Sequence, residues 1–121
     1  MDLRSHDLSI DQMQKYLKNF IEERQWEKYR TPKNLSMALA IEAAELMEIF
    51  QWIDGEDSLH IQKDEQAYQN IKDEMADILS YLLQLAQVLD IDLISSFWEK
   101  TIKNELKHKK SDQNAYTTET K

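Results

Sequence analysis

A chain of 121 residues with a single glycine, Gly55, and a single proline, Pro32, has few places to turn sharply. Tight hairpins and phosphate-cradling loops rely on glycine where the backbone takes positive φ. An all-β fold, a dinucleotide-binding loop and a Walker loop are therefore excluded. With 41% hydrophobic and 31% charged side chains, the composition fits an all-α protein of one domain. The absence of cysteine removes disulfides, iron–sulfur clusters and thiolate zinc sites. Fifteen basic against 23 acidic side chains give a formal net charge of −8. Such a surface repels nucleic-acid polymers, which are held through phosphate neutralisation by Lys and Arg. A small phosphate ligand stays open, because a metal ion can supply the missing positive charge. No apolar run approaches the roughly 20 residues of a membrane helix, and Met1-Asp2-Leu3-Arg4-Ser5-His6 lacks the apolar stretch of a signal peptide. The expectation is a cytoplasmic protein with no membrane contact.

Periodicity divides the chain into four main helices. Ser9 and Asp11 are both suited to cap a first helix over about 11–26, with Met13, Leu17, Phe20 and Ile21 at helical spacing. Thr31-Pro32 opens a second helix, with Thr as cap and Pro in the first turn, and nothing breaks it before Ile53. Asp54-Gly55-Glu56-Asp57-Ser58 reads as a loop, and 57–65 fits either a short helix or an ordered loop. A long third helix runs from about Asp64 to Leu89, with Ile71, Met75, Ile78, Leu79, Leu82, Leu83, Ala86 and Leu89 as its apolar positions. Asp90 or Asp92 caps a fourth helix extending to about Lys109. The folded domain is expected over 1–110, and the polar, aperiodic stretch 111–121 reads as a mobile tail. Helices apolar on several faces predict an oligomer.

Within this frame the acidic residues of the second and third helices are out of place. Leu35–Ile53 is apolar or small at nearly every position apart from Glu42, Glu45, Glu48 and Gln51. Residues three apart on a helix are separated by about 60° of rotation and one turn of rise, so Glu42 and Glu45 point the same way. Glu74 and Asp77 repeat the spacing, and Tyr81 and Gln84 extend their stripe. The plain reading is two solvated faces. Against it, neither stripe contains Lys or Arg, and like charges one turn apart repel. Four converging carboxylates need a cation. Oxygen donors without His or Cys suit Mg²⁺ or Mn²⁺. A ferritin-like di-iron site would want Glu-x-x-His, and none of His6, His60 and His108 lies three residues after a glutamate. Mg²⁺ held this way neutralises phosphate oxygens and lowers the pKa of bound water, which points to a phosphate-ester or phosphoanhydride hydrolase.

Three segments carry a resemblance to a known family: Trp26-Glu27-Lys28-Tyr29-Arg30-Thr31-Pro32-Lys33-Asn34-Leu35, Glu42-Ala43-Ala44-Glu45-Leu46-Met47-Glu48-Ile49-Phe50-Gln51-Trp52, and Asp73-Glu74-Met75-Ala76-Asp77-Ile78. Together they resemble the MazG-like all-α nucleotide pyrophosphohydrolases, and most of all their dCTP pyrophosphatase group, over about residues 10–107. The resemblance implies Mg²⁺-dependent hydrolysis of a nucleoside triphosphate to the monophosphate and pyrophosphate, in the service of nucleotide-pool cleansing. It implies Glu42, Glu45, Glu74 and Asp77 as metal ligands; the choice of Glu45 as catalytic base is our own and not part of the resemblance. It further implies Trp26, Arg30, Trp52 and Tyr81 around base and sugar, and Lys100 and Asn104 on the phosphates. Lys107 stands where the family's pattern has Arg, and Glu48 is left outside the ligand set. The family implies assembly as a dimer or a dimer of dimers.

The chain departs from that pattern in four further places. Ile41 precedes Glu42 where many members have a second glutamate, a feature the dCTP group shares. Leu17 and Arg30 stand where that group carries base-contacting histidines, and His108-Lys109 replaces Tyr-Pro. The metal ligands are untouched, whereas base preference is left open. The competing readings are a non-catalytic helical interaction bundle and a related dUTP or phosphoribosyl-ATP pyrophosphohydrolase.

Overall fold

A computed structural model describes residues 9–108, and every regular element among them is helical. The main helices are α1 (Ile10–Glu23), α2 (Pro32–Phe50), α4 (Glu65–Val88) and α5 (Leu93–Lys107), with a one-turn helix α3 (Gly55–Ser58) between α2 and α4. Short 3₁₀ turns at Glu27–Tyr29 and Ile61–Lys63 complete the chain path. The stretch 111–121, read above as a mobile tail, lies outside the described residues.

Each α-helix starts on a side chain that accepts from an amide three residues on: Ser9 from Gln12, Thr31 from Asn34, Asp54 from Asp57, Asp64 from Ala67 and Asp92 from Ser95. Such caps satisfy a donor that the helix itself cannot, and each is worth about 1 kcal/mol. Ser9 is thus the first cap rather than Asp11, and Asp92 the last rather than Asp90. The loop expected at 54–58 is instead α3. Gly55 does not act as a breaker there, because Asp54 Oδ1 binds the Asp57 amide at 2.7 Å and Glu56 and Asp57 sit in the first turn, where the helix dipole favours acids.

Helix α1 stops three residues earlier than periodicity predicts. Gln25 adopts φ 56°, and the amides of Gln25 and Trp26 turn back to the carbonyls of Glu22 and Ile21. This is a Schellman closure with glutamine at the position glycine usually fills. Helix α2 ends at Phe50 rather than Ile53, whose amide bonds back to the Phe50 carbonyl in a turn.

The chain divides after Asp90 into two compact units. In the first, α2 packs lengthwise against α4, and α1 lies on α4 as well. Its buried residues are few: Leu35 from α2, and Ile71, Leu83, Gln84 and Ala86 from α4. Gln14 Nε2 of α1 reaches the Leu83 carbonyl at 2.8 Å and ties the two helices at that level. Of the apolar positions expected on the long third helix, Met75, Leu79, Leu82 and Leu89 are exposed, as are Met37, Ile41 and Met47 on α2. Two helices in contact bury one stripe each, so the additional apolar faces read from the sequence remain uncovered within one chain. The second unit contains α5, which carries exposed Ile94, Phe97, Trp98, Ile102 and Leu106. Among the described residues no single helix is long and apolar enough to cross a membrane.

The left-handed conformation of Gln25 costs a side-chain-bearing residue about 1 kcal/mol relative to glycine. Gln25→Gly should therefore raise the melting temperature, and the β-branched Gln25→Val should lower it. Thermal unfolding followed by circular dichroism checks both.

Candidate metal centre and adjoining cavity

The pairing of α2 with α4 brings the two acidic stripes together. Glu42, Glu45 and Glu74 each offer a carboxylate oxygen, and these oxygens all lie within 4.8 Å of one another. Glu42 and Glu74 are half-buried and Glu45 is exposed. Oε2 of Glu42 and Oε2 of Glu74 are shielded from solvent and have no hydrogen-bond partner. Among the described residues the ion pairs are Lys18–Glu22 and Arg24–Glu23, and neither reaches the cluster. Ionised carboxylates only accept, so three of them together cannot satisfy one another without a proton or a cation. A donor set of oxygens alone fits a hard divalent ion.

The electrostatics agree. The Glu42 carboxyl is held above its usual range first by sharing a proton with Glu74, then by burial and by the charges of Glu74 and Asp77, with Glu45 opposing. That of Glu45 is raised chiefly by Glu42, through a shared proton and through charge, with a smaller repulsion from Glu48. Asp77 is therefore close enough to be felt by Glu42, although it is outside the three-oxygen group.

Asp77 also lines a cavity of about 390 Å³. Its other walls include Leu17 and Phe20 of α1, Trp26, Tyr29 and Arg30 of the following turn, Asn34 and Leu35 of α2, and Ser80, Tyr81 and Gln84 of α4. Trp26 meets Phe20 edge-on, with ring centroids 6.0 Å apart. The Schellman closure at Gln25 fixes where Trp26 leaves the helix. Arg30 donates from Nη2 to Gln87 Oε1, while its Nε is buried without a partner. Burial lowers the Arg30 pKa, and Glu22 partly offsets this. Asn34 Nδ2 donates to the Tyr29 carbonyl at 3.3 Å and steadies the turn between Trp26 and α2.

The residues singled out in the sequence thus fall into four places. Glu42, Glu45 and Glu74 come together, and Asp77, Trp26, Arg30 and Tyr81 share one cavity. Trp52 does not line that cavity and is 88% exposed, beyond the end of α2. Lys100 and Asn104 occupy exposed positions one turn apart on α5, in the second unit. Ser80 and Gln87 had no distinguishing mark in the sequence. Gln84 did, since it continues the stripe of Asp77 and Tyr81.

Fold and cluster define a class: an all-helical protein whose paired helices present convergent carboxylates able to hold a divalent cation. The chain belongs to the MazG-like family, whose description matches residues 37–120. It is 33% identical over 89 residues to dCTP pyrophosphatase 1 of Bos taurus, covering 74% of this chain and 53% of that protein. With the Homo sapiens dCTP pyrophosphatase 1 it shares 33% identity over 90 residues, covering 74% and 52%. The chain therefore spans about half the length of these curated relatives. A crystal structure of a pyrophosphatase from Archaeoglobus fulgidus superposes with a TM-score of 0.77 at 38% identity, covering 90% of this chain and all of that one.

Because Glu42 and Glu45 hold protons more tightly folded than unfolded, the metal-free protein loses stability as pH rises through their raised pKa values. That penalty is absent below the ordinary glutamate range, near about pH 4. Glu42→Gln replaces an acceptor with a donor inside the cluster. In EDTA it should melt above the wild type at pH 7, with the gap closing toward about pH 4. Melting curves across that range check the sign.

Proposed function

We propose that the chain hydrolyses a nucleoside triphosphate to the nucleoside monophosphate and pyrophosphate, with Mg²⁺ as the metal. The observation that carries this reading is Asp77, which lines the aromatic cavity and is also felt by Glu42 of the carboxylate cluster. A ligand whose flat apolar end fills the cavity would hold its anionic end near the carboxylates. That is the shape of a nucleotide. The names of the relatives, dCTP pyrophosphatase 1 and a pyrophosphatase, support the same reaction class.

In this reading Glu42, Glu45, Glu74 and Asp77 hold the cation. Mg²⁺ supplies the positive charge that phosphate oxygens need beside an acidic cluster, and lowers the pKa of water. Trp26 and Tyr81 stack on the base, an interaction worth about 1–3 kcal/mol per base. Glu45, the exposed member of the cluster, accepts a proton from the attacking water. The water oxygen bonds to phosphorus, the bridging P–O bond breaks, and its electrons leave with pyrophosphate. Lys100 and Asn104 are the phosphate donors that the family resemblance adds. Trp52 keeps the role of base contact only on that resemblance.

Uncovered apolar side chains on α2 and α4 support assembly with further copies, as a dimer or a dimer of dimers. The same exposure favours the rival reading of a non-catalytic interaction bundle, which predicts no response to divalent ions.

The deciding measurement is pyrophosphate release from a panel of canonical and modified nucleoside triphosphates, with Mg²⁺ and with EDTA. Release should require Mg²⁺ and fall at least about a hundredfold in Asp77→Asn and Glu45→Gln, the scale expected when a group that holds charge or moves a proton is lost. Mg²⁺ should also raise the melting temperature of the wild type more than that of either variant. No release and no Mg²⁺ shift would leave the interaction bundle as the function.

A further inference from the structure

A groove of about 510 Å³ runs between α1 and α4, beside the cavity that holds Trp26 and Arg30. Met13 and Leu17 of α1 and Ala76, Leu79 and Leu83 of α4 give it an apolar surface, and among the described residues that line it Lys15 alone is charged. Lys15 is exposed and belongs to no ion pair among the described residues, whereas its neighbour Lys18 is taken by Glu22. In the second unit, α5 carries the complementary pattern. Its Ile94, Phe97, Trp98, Ile102 and Leu106 are each at least 55% exposed. Glu105 follows Trp98 by seven residues, two turns that bring a side chain back to within about 20° of the same face. A carboxylate therefore stands inside the apolar stripe, while Lys100, Lys103 and Lys107 fall on the opposite side of the helix. Glu105 too is exposed and outside every ion pair among the described residues.

We propose that α5 of one copy lies in this groove on a second copy, with Glu105 paired to Lys15. The apolar stripe fills the groove, and the acid that interrupts the stripe meets the cation that interrupts the groove. A charge covered by such a contact needs its partner, and this need selects the occupant. Two α5 helices placed face to face would leave Glu105 without a cation, because the α5 lysines are on the far side. The exposed apolar side of α2 is no better, since α2 has no basic residue between Asn34 and Phe50. A lipid surface also accepts an amphipathic helix, yet it offers the Glu105 carboxylate no cation within the apolar layer. Exchange of α5 in both directions closes a two-fold dimer in which the contact is made twice. Docked this way, α5 keeps Lys100, Lys103 and Lys107 facing outward. The contact does not rest on the pyrophosphohydrolase reading.

The test measures self-association of the full chain by sedimentation across a concentration series. Lys15→Glu and Glu105→Lys should each raise the dissociation constant at least about tenfold, because like charges forced together across an interface are strongly unfavourable. The double swap should bring it back to within about threefold of the wild type, as coupled neighbours do. The chain has no cysteine, so Lys15→Cys and Glu105→Cys each introduce a single thiol. Mixed and treated with a short bismaleimide, these two variants should give more covalent dimer than either gives alone. Both positions are exposed, and circular dichroism checks that the variants keep their helices. A chain that stays monomeric would overturn the contact, as would charge variants that associate like the wild type or a double swap that restores nothing. So would cross-linking no greater in the mixture than in the separate variants. Binding of a monomeric chain to phosphatidylserine vesicles would give the α5 stripe to a membrane surface instead.

Discussion

The pairing of α2 with α4 is the contact on which the rest depends. It buries Leu35 against a helix that contributes Ile71, Leu83 and Ala86, and it also leaves one carboxylate oxygen each of Glu42 and Glu74 shielded from solvent without a hydrogen-bond partner. Hydrophobic burial is non-directional, so the apolar stripes determine that the helices meet, and the carboxylates are carried along by the rigid geometry of the turn. The fold thus holds like charges together against their repulsion. A site with that property is stabilised by whatever cation enters it.

The adjoining cavity is arranged by local backbone chemistry as much as by packing. Gln25 in a left-handed conformation closes α1 and sends Trp26 off at a fixed angle toward Phe20. Thr31 then starts α2, and Asn34 secures the intervening turn through the Tyr29 carbonyl. Between these two fixed points Arg30 has little freedom, and Gln87 holds its guanidinium. The unmet donor on Arg30 borders the cavity, and the strained Gln25 immediately precedes Trp26 of its wall, as expected where stability has been given up for a function. Asp77 joins this cavity to the acidic cluster, so the chain offers an apolar, hydrogen-bonding end and an anion-handling end within one helical unit.

Much of the fold is legible in the sequence for simple reasons. With one glycine and one proline, helices were the only regular element available, and Ser, Thr and Asp before each apolar run marked where they begin. The acidic stripes could be seen because three-residue spacing fixes side chains to one face whatever the surroundings. Helix ends were less legible. A glutamine in the left-handed region gives no compositional signal at 25, and Gly55 is read as a breaker unless the cap made by Asp54 is known. The apolar positions of α4 were visible as a set, but not which of them would be buried, because one helix pair covers only part of so broad a face.

The candidate site divides along the same line. Sequence alone determined which carboxylates share a helix face, since that follows from 3.6 residues per turn, and that the donors are oxygen only, since no His or Cys accompanies them. It could not say that Glu42, Glu45 and Glu74 approach within 4.8 Å while Asp77 turns to the cavity, because that depends on the axial register of α2 against α4. Nor could it connect Arg30 with Gln87, or separate Trp26 in the cavity from Trp52 in solvent. Contacts between residues 57 positions apart are set by how helices lie on one another. Chain chemistry supplied the ligands, and tertiary packing decided which of them face one another.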